Sequence, residues 1–184
     1  LLISNASDIA LAAESWQPRR RSLVDFKSGR TAIEVKSCAG DVRKHRFKLA
    51  QLQAPAGSMW LIFSVVLTPR ATGASILDLW NTVEQRLRNH PGLRDRVAVR
   101  IAQTLGDDWR RVQSQRFEPE SAINSLAVMK SDDVPRVGVD AGPAITDIEF
   151  TADLSAVPIV NRDDVPKSDL LLRSLWLPIS AGSA

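Results

Sequence analysis

The run Met59-Trp60-Leu61-Ile62-Phe63-Ser64-Val65-Val66-Leu67 constrains the fold of this chain more than any other segment. It has the length and β-branched content of a strand and is broken only by Ser64. A continuous apolar strand of this kind is covered on both faces and sits centrally in a sheet. It is too short to cross a bilayer as a helix, which takes about 20 residues. No membrane span is therefore expected.

The flanking segments read as a mixture of helices and strands. Ser7 is placed to cap a short helix through Glu14, and Leu23–Lys27 and Thr31–Ser37 alternate around Ser28-Gly29-Arg30 as a β-hairpin does. Asp41 is placed to cap a helix to about Gln53, with Val42, Leu49 and Leu52 turned inward. Pro69–Gly73 reads as a loop. Ser75 caps a helix to about Asn89, with Ile76, Leu79, Trp80, Val83 and Leu87 at three- and four-residue spacing. A second helix spans Leu93–Leu105 up to Gly106, and a short third one starts at Asp107. Strands are expected over Ile123–Lys130 and Ala144–Thr151, with a loop through Val134-Pro135-Arg136 between them. Residues 1–155 thus form one α/β domain. Residues 156–184 form a proline-containing tail, of which Leu170, Leu171, Leu172 and Trp176 can dock on the body.

Composition narrows the class. A chain of 184 residues, 44% apolar, builds a core without staples. The lone Cys38 makes no internal disulfide, so a reducing, cytoplasmic setting is expected. Leu1–Ala6 has no basic stretch ahead of an apolar one and no secretion signal is expected; a start on Leu rather than Met suits part of a longer protein. One cysteine and two histidines give zinc no adequate ligand set, and neither a Gly-rich phosphate loop nor a nucleophile elbow is present. The net charge of +3 is unevenly spread. Gln17–Lys48 holds ten basic residues against three acidic ones, a local +7 that leaves −4 for the rest. Such a concentration suits either a polyanion binder or a solvated basic surface.

The hairpin carries the candidate chemistry. If it turns on Gly29-Arg30, Ser28 faces Thr31 and Asp25 faces Glu34. Opposed residues of an antiparallel pair have Cβ atoms about 4.5–5.5 Å apart, near enough for two carboxylates to share a hard cation. Lys36, two positions after Glu34, projects from the same face, while Val24, Phe26, Ile33 and Val35 turn the other way. Opposed like charges destabilise a sheet unless something compensates them, and a divalent metal does so. An ordinary hairpin with a solvated polar face has the same alternation.

Asp25, eight intervening residues and Glu34-Val35-Lys36 resemble the PD-(D/E)xK signature of restriction-type nucleases. The chain is more similar still to a bacterial family of PD-(D/E)xK motif proteins often found beside phage-defence genes. That likeness runs through Trp16, Asp25-Phe26, Ile33-Glu34-Val35-Lys36, the basic stretch Arg43–Leu52, Leu105-Gly106-Asp107-Asp108-Trp109 and Val134-Pro135-Arg136. The resemblance implies a restriction-endonuclease-like fold, with a mixed central β-sheet flanked by helices. It further implies a Mg²⁺- or Mn²⁺-dependent nuclease that hydrolyses DNA in prokaryotic restriction or phage defence. Asp25 and Glu34 would be its metal ligands and Lys36 its catalytic cation, with defence proteins as partners and room for a homodimer. Val24 stands where the signature has proline, and the upstream glutamate of many members is expected before Leu1, with Glu14 the one substitute in the chain. Arg43, Lys44, His45, Arg46, Lys48 and Gln51, on the expected helix after the hairpin, are the candidate nucleic-acid contacts. The rival class is a non-catalytic DNA-binding or assembly subunit that keeps the fold; a purely structural domain is a third.

Overall fold

The structure is a computed structural model, and it describes residues 1–17, 22–40, 42–136, 138 and 147–176. Helices α1 (Leu2–Asn5) and α2 (Ile9–Ser15) open the chain. Asp8, rather than Ser7, caps α2, its carboxylate accepting from the Leu11 N–H at 2.9 Å. The hairpin follows as β1 (Phe26–Ser28) and β2 (Thr31–Cys38), turning where Gly29 adopts φ +56°, a conformation that suits glycine. Its register, Phe26 opposite Ile33 and Ser28 opposite Thr31, is that of the two-residue Gly29-Arg30 turn.

The next segment corrects the sequence reading. In place of a helix to Gln53, Lys44–Lys48 forms strand β3 and Leu49–Leu52 a 3₁₀ turn. Lys44, Arg46 and Lys48 are exposed while His45 and Phe47 are buried, a period of two that belongs to a strand.

Strand β4 (Met59–Val66) matches the apolar run. Pro69–Ala74, expected as a loop, is extended as β5 and meets Phe117 through isolated bridges at both ends, outside either sheet. Helix α3 (Ile76–Arg86) begins with a reciprocal cap between Ser75 and Asp78. Helix α4 (Pro91–Leu105) has proline in its first turn, where a missing N–H costs nothing, and Gly106 after its end. A 3₁₀ turn leads into α5 (Trp109–Ser114). The expected strand Ile123–Lys130 is divided: α6 (Pro119–Asn124), entered through proline, takes its start and β6 (Ala127–Lys130) its end. Strand β7 (Glu149–Asp153) covers the end of the expected Ala144–Thr151, whose first three residues lie outside the described ones. Helix α7 (Leu170–Trp176) closes the described chain.

The sheet order is β1-β2-β4-β6, with β4 parallel to β2 and antiparallel to β6, so the architecture is α/β with a mixed central sheet flanked by helices. One face presents Phe26, Ile33, Leu61, Phe63 and Val128 to Leu2, Ala12, Leu171, Leu172, Leu175 and Trp176 of the helices. On the other face Ile62, Ala127 and Met129 meet Phe47 and Ala152, which belong to an antiparallel ribbon of β3 and β7. A third cluster of Ile9, Ala13, Val83, Leu87 and Val97 joins α2 to α3 and α4. Alternation along β2 therefore sends Ile33, the partner of Leu61, to the helical side. Glu34, the partner of Ile62, goes beneath the ribbon.

Candidate active site

The hairpin register, continued one step past Phe26, brings Asp25 beside Glu34. The Asp25 N–H donates to the Ile33 carbonyl at 2.9 Å, and its carboxylate Oδ2 accepts from the Val35 N–H at 2.8 Å. The two carboxyls are within hydrogen-bonding reach of each other. Lys36 lies on the same face, with Nζ 2.8 Å from Glu34 Oε1. Asp25, Glu34 and Lys36 thus converge.

The group is enclosed rather than displayed. Glu34 is 7% exposed, and the Lys36 side chain is 17% exposed beneath the ribbon, its Nζ 5.1 Å from the Phe47 ring centroid. Gln51, on the 3₁₀ turn, donates from Nε2 to Glu34 Oε1 at 2.6 Å and accepts at Oε1 from Lys36 Nζ at 3.2 Å. Burial pushes Glu34 up to about 7, the Asp25 carboxylate adds to the rise, and the Lys36 amine offsets part of it. Asp25 is also raised, by burial first, against the pull of the Val35 N–H and of Lys36.

The basic residues of this region divide by strand alternation. Lys44, Arg46 and Lys48 point outward, but β7 sets acids across from them: Lys44 faces Asp153, while Arg46 and Lys48 both pair with Glu149. His45 and Arg43 turn inward to Ser64, the one polar residue of the central strand, which lies beside Lys36 in the sheet. The Arg43 guanidinium donates to Ser64 O at 2.8 Å, Ser64 Oγ at 2.9 Å and Ser125 O at 2.5 Å. His45 Nε2 is 2.7 Å from Ser64 Oγ, and burial, followed by the Lys36 and Arg43 charges, holds its pKa below the usual imidazole value. Arg43 and His45 spend their polar groups inside the fold, and Glu14 faces solvent from α2.

Phe47 and Ser64 are the site's unforeseen members. Each carried a sequence signal: an aromatic alternating with cations, and a lone hydroxyl in an apolar run. Among the described residues no group of three or more His, Cys, Asp or Glu converges to hold a metal. The donor set that does exist, two adjoining carboxyls, fits a hard divalent cation, which takes oxygen ligands and often only one or two carboxylates.

Residues 1–155 match the model of the family described as "Putative PD-(D/E)XK family member" (DUF4420). The chain belongs to this family. Membership of a PD-(D/E)XK family goes with a nuclease-like fold. No curated protein and no solved structure matches the chain. Among the described residues no helix is long and apolar enough to cross a membrane.

Proposed function

We propose that the protein is a divalent-metal-dependent nuclease that cleaves DNA, working in prokaryotic restriction or phage defence in the cytoplasm. The observation that carries this reading is the meeting of Asp25, Glu34 and Lys36 on one face of a hairpin in a member of the PD-(D/E)XK family. Asp25 and Glu34 would hold Mg²⁺ or Mn²⁺, which when bound supplies Lewis acidity toward water and phosphate oxygens. Lys36, held at 2.8 Å from Glu34, orients the attacking water or steadies the charge that builds on the phosphate. Lys44, Arg46 and Lys48 are the contacts offered to the backbone of the nucleic acid. Glu149 and Asp153 opposite them are exposed, and exposed charge pairs are weak because solvent screens them, so phosphates can displace them.

The test is cleavage of double- and single-stranded DNA by purified protein with Mg²⁺, Mn²⁺ or EDTA. Cleavage is expected with metal only, to fall by about 100–1000-fold in Lys36→Ala, the size of effect seen when a transition-state donor is removed, and to fall at least as far in Asp25→Ala, which takes away a metal ligand. Cleavage that survives both substitutions sinks the assignment.

One observation favours a second reading, a DNA-binding subunit without catalysis. Glu34 lies beneath the ribbon, whereas the cations lie on its outside. That alternative is marked by salt-sensitive affinity that persists in Asp25→Ala with no cleavage by wild type under any metal.

A further inference from the structure

We infer that Gln51 is a positioning residue of this site, a carboxamide that fixes the Glu34 carboxylate and the Lys36 amine relative to each other. The inference rests on the nuclease reading above and deepens it.

Among the described residues Gln51 makes three hydrogen bonds, two of them to Glu34 and Lys36 and one to the start of its own turn. Nε2 donates to Glu34 Oε1 at 2.6 Å, and Oε1 accepts both from Lys36 Nζ at 3.2 Å and from the Lys48 N–H at 3.0 Å. The orientation of the amide follows from its partners. Rotated by half a turn, it would present N–H groups to an ammonium and to a backbone N–H, none of which accepts. With both lone pairs of Oε1 occupied, a phosphate, which has no donor of its own, can meet Gln51 only through the remaining Nε2 hydrogen. That is a poor basis for the nucleic-acid contact expected on a helix.

The bridge is itself anchored. The Lys48 N–H locks the side chain to the start of the 3₁₀ turn, and Leu52, the next residue, is fully buried in the ribbon-side core. Phe47, on the strand that leads into the turn, supplies its ring to the same amine at 5.1 Å. Lys36 is a flexible side chain with several rotatable bonds, and without these partners its amine would sample many positions. Groups that act together in a site work when held within about 0.5 Å of their productive geometry by packing and hydrogen bonds around them. Gln51 reaches both from outside the hairpin that carries them.

The experiment uses the full chain with Gln51→Met, which keeps the length of the side chain and removes its hydrogen bonds. Three quantities are measured: the thermal unfolding midpoint, the Mn²⁺ dissociation constant by calorimetry, and kcat and KM on DNA. Mn²⁺ affinity and kcat are each expected to fall by about 10–100-fold, the usual effect of losing a partner that orients a metal ligand, with KM for DNA within about twofold of wild type. If Gln51→Met does not fold, Gln51→Asn carries the test with the same expectations; it keeps an amide for Lys48 but is one carbon too short to span Glu34 and Lys36. Unchanged Mn²⁺ affinity and kcat overturn the inference, as does a raised KM with kcat intact, which is the mark of a DNA contact. Wild-type protein that neither binds Mn²⁺ nor cleaves DNA overturns the nuclease reading as well, so the two failures are told apart.

Discussion

Glu34 keeps its proton to about pH 7 because it is buried beside Asp25 and the Lys36 amine offsets only part of that effect. In the unfolded chain the proton leaves near the ordinary value of 4.5. Between these values the folded state binds more protons than the unfolded one, so this group's stabilising contribution is complete below 4.5 and is lost as pH rises through about 7. Unfolding midpoints in EDTA are expected to drop across that window in wild type, and the drop to be smaller in Glu34→Gln, which cannot titrate. Identical slopes in the two proteins would refute the shift. Metal binding at pH 6 is further expected to expel a proton, seen in calorimetry as a binding heat that varies with the ionisation heat of the buffer. The adjacency of Asp25 and Glu34 was legible in the sequence because a two-residue turn on Gly29 sets the register locally. The burial of Glu34 was not legible, since it depends on contacts from outside the hairpin, among them the hydrogen bond from Gln51.

Strand β3 shows how an element escapes local reading. Val42, Leu49 and Leu52 have helical spacing, while His45 and Phe47 alternate with cations as in a strand. The choice is made by β7, which pairs with β3 from Lys44–Asp153 to Lys48–Glu149 and is far away in sequence. The central strand β4, by contrast, was plain from its own composition, as were the capped helices α3 and α4. Phe47 is the apolar anchor of the ribbon, fully buried against Ile62 and Leu52. Phe47→Ala is expected to destabilise the protein by about 3–5 kcal/mol in denaturant titration, the range for truncating a buried aromatic. A change under about 1 kcal/mol would mean that the ribbon is not held by that ring. On the outer face, replacing Lys44, Arg46 and Lys48 together by alanine is expected to flatten log affinity for DNA against log salt by up to about 3, at roughly 0.9 for each phosphate no longer neutralised. An unchanged slope would place the nucleic acid on another surface.

At the scale of the whole molecule, the region matched by the family ends at residue 155, yet the core does not. Leu171, Leu172, Leu175 and Trp176 of α7 are each at most 3% exposed and pack with Phe63, Leu61 and Ile33 on the helical face of the sheet. Hydrogen bonds secure the same join. Thr31 Oγ1 donates to Asp169 at 2.5 Å, and Asp169 accepts from the Leu172 N–H at 3.0 Å. A chain ending at residue 155 is therefore expected to lose its cooperative unfolding transition, and Trp176→Ala to destabilise by about 3–5 kcal/mol. A shortened chain that melts as sharply and as high as the full one would show that α7 is dispensable. The apolar residues of the tail pointed to docking. How deeply they enter the core was not readable, because it depends on a face of the sheet that local sequence does not display.

The pairing of β3 with β7 also has a consequence for biosynthesis. The acid-bearing hairpin is synthesised before Glu149–Asp153, the strand that completes the ribbon on its side of the sheet. A nascent polypeptide arrested before that point carries the acidic pair on a sheet whose ribbon is unfinished. Completion of the ribbon therefore waits on synthesis of β7, and a chain arrested before it lacks half of that layer.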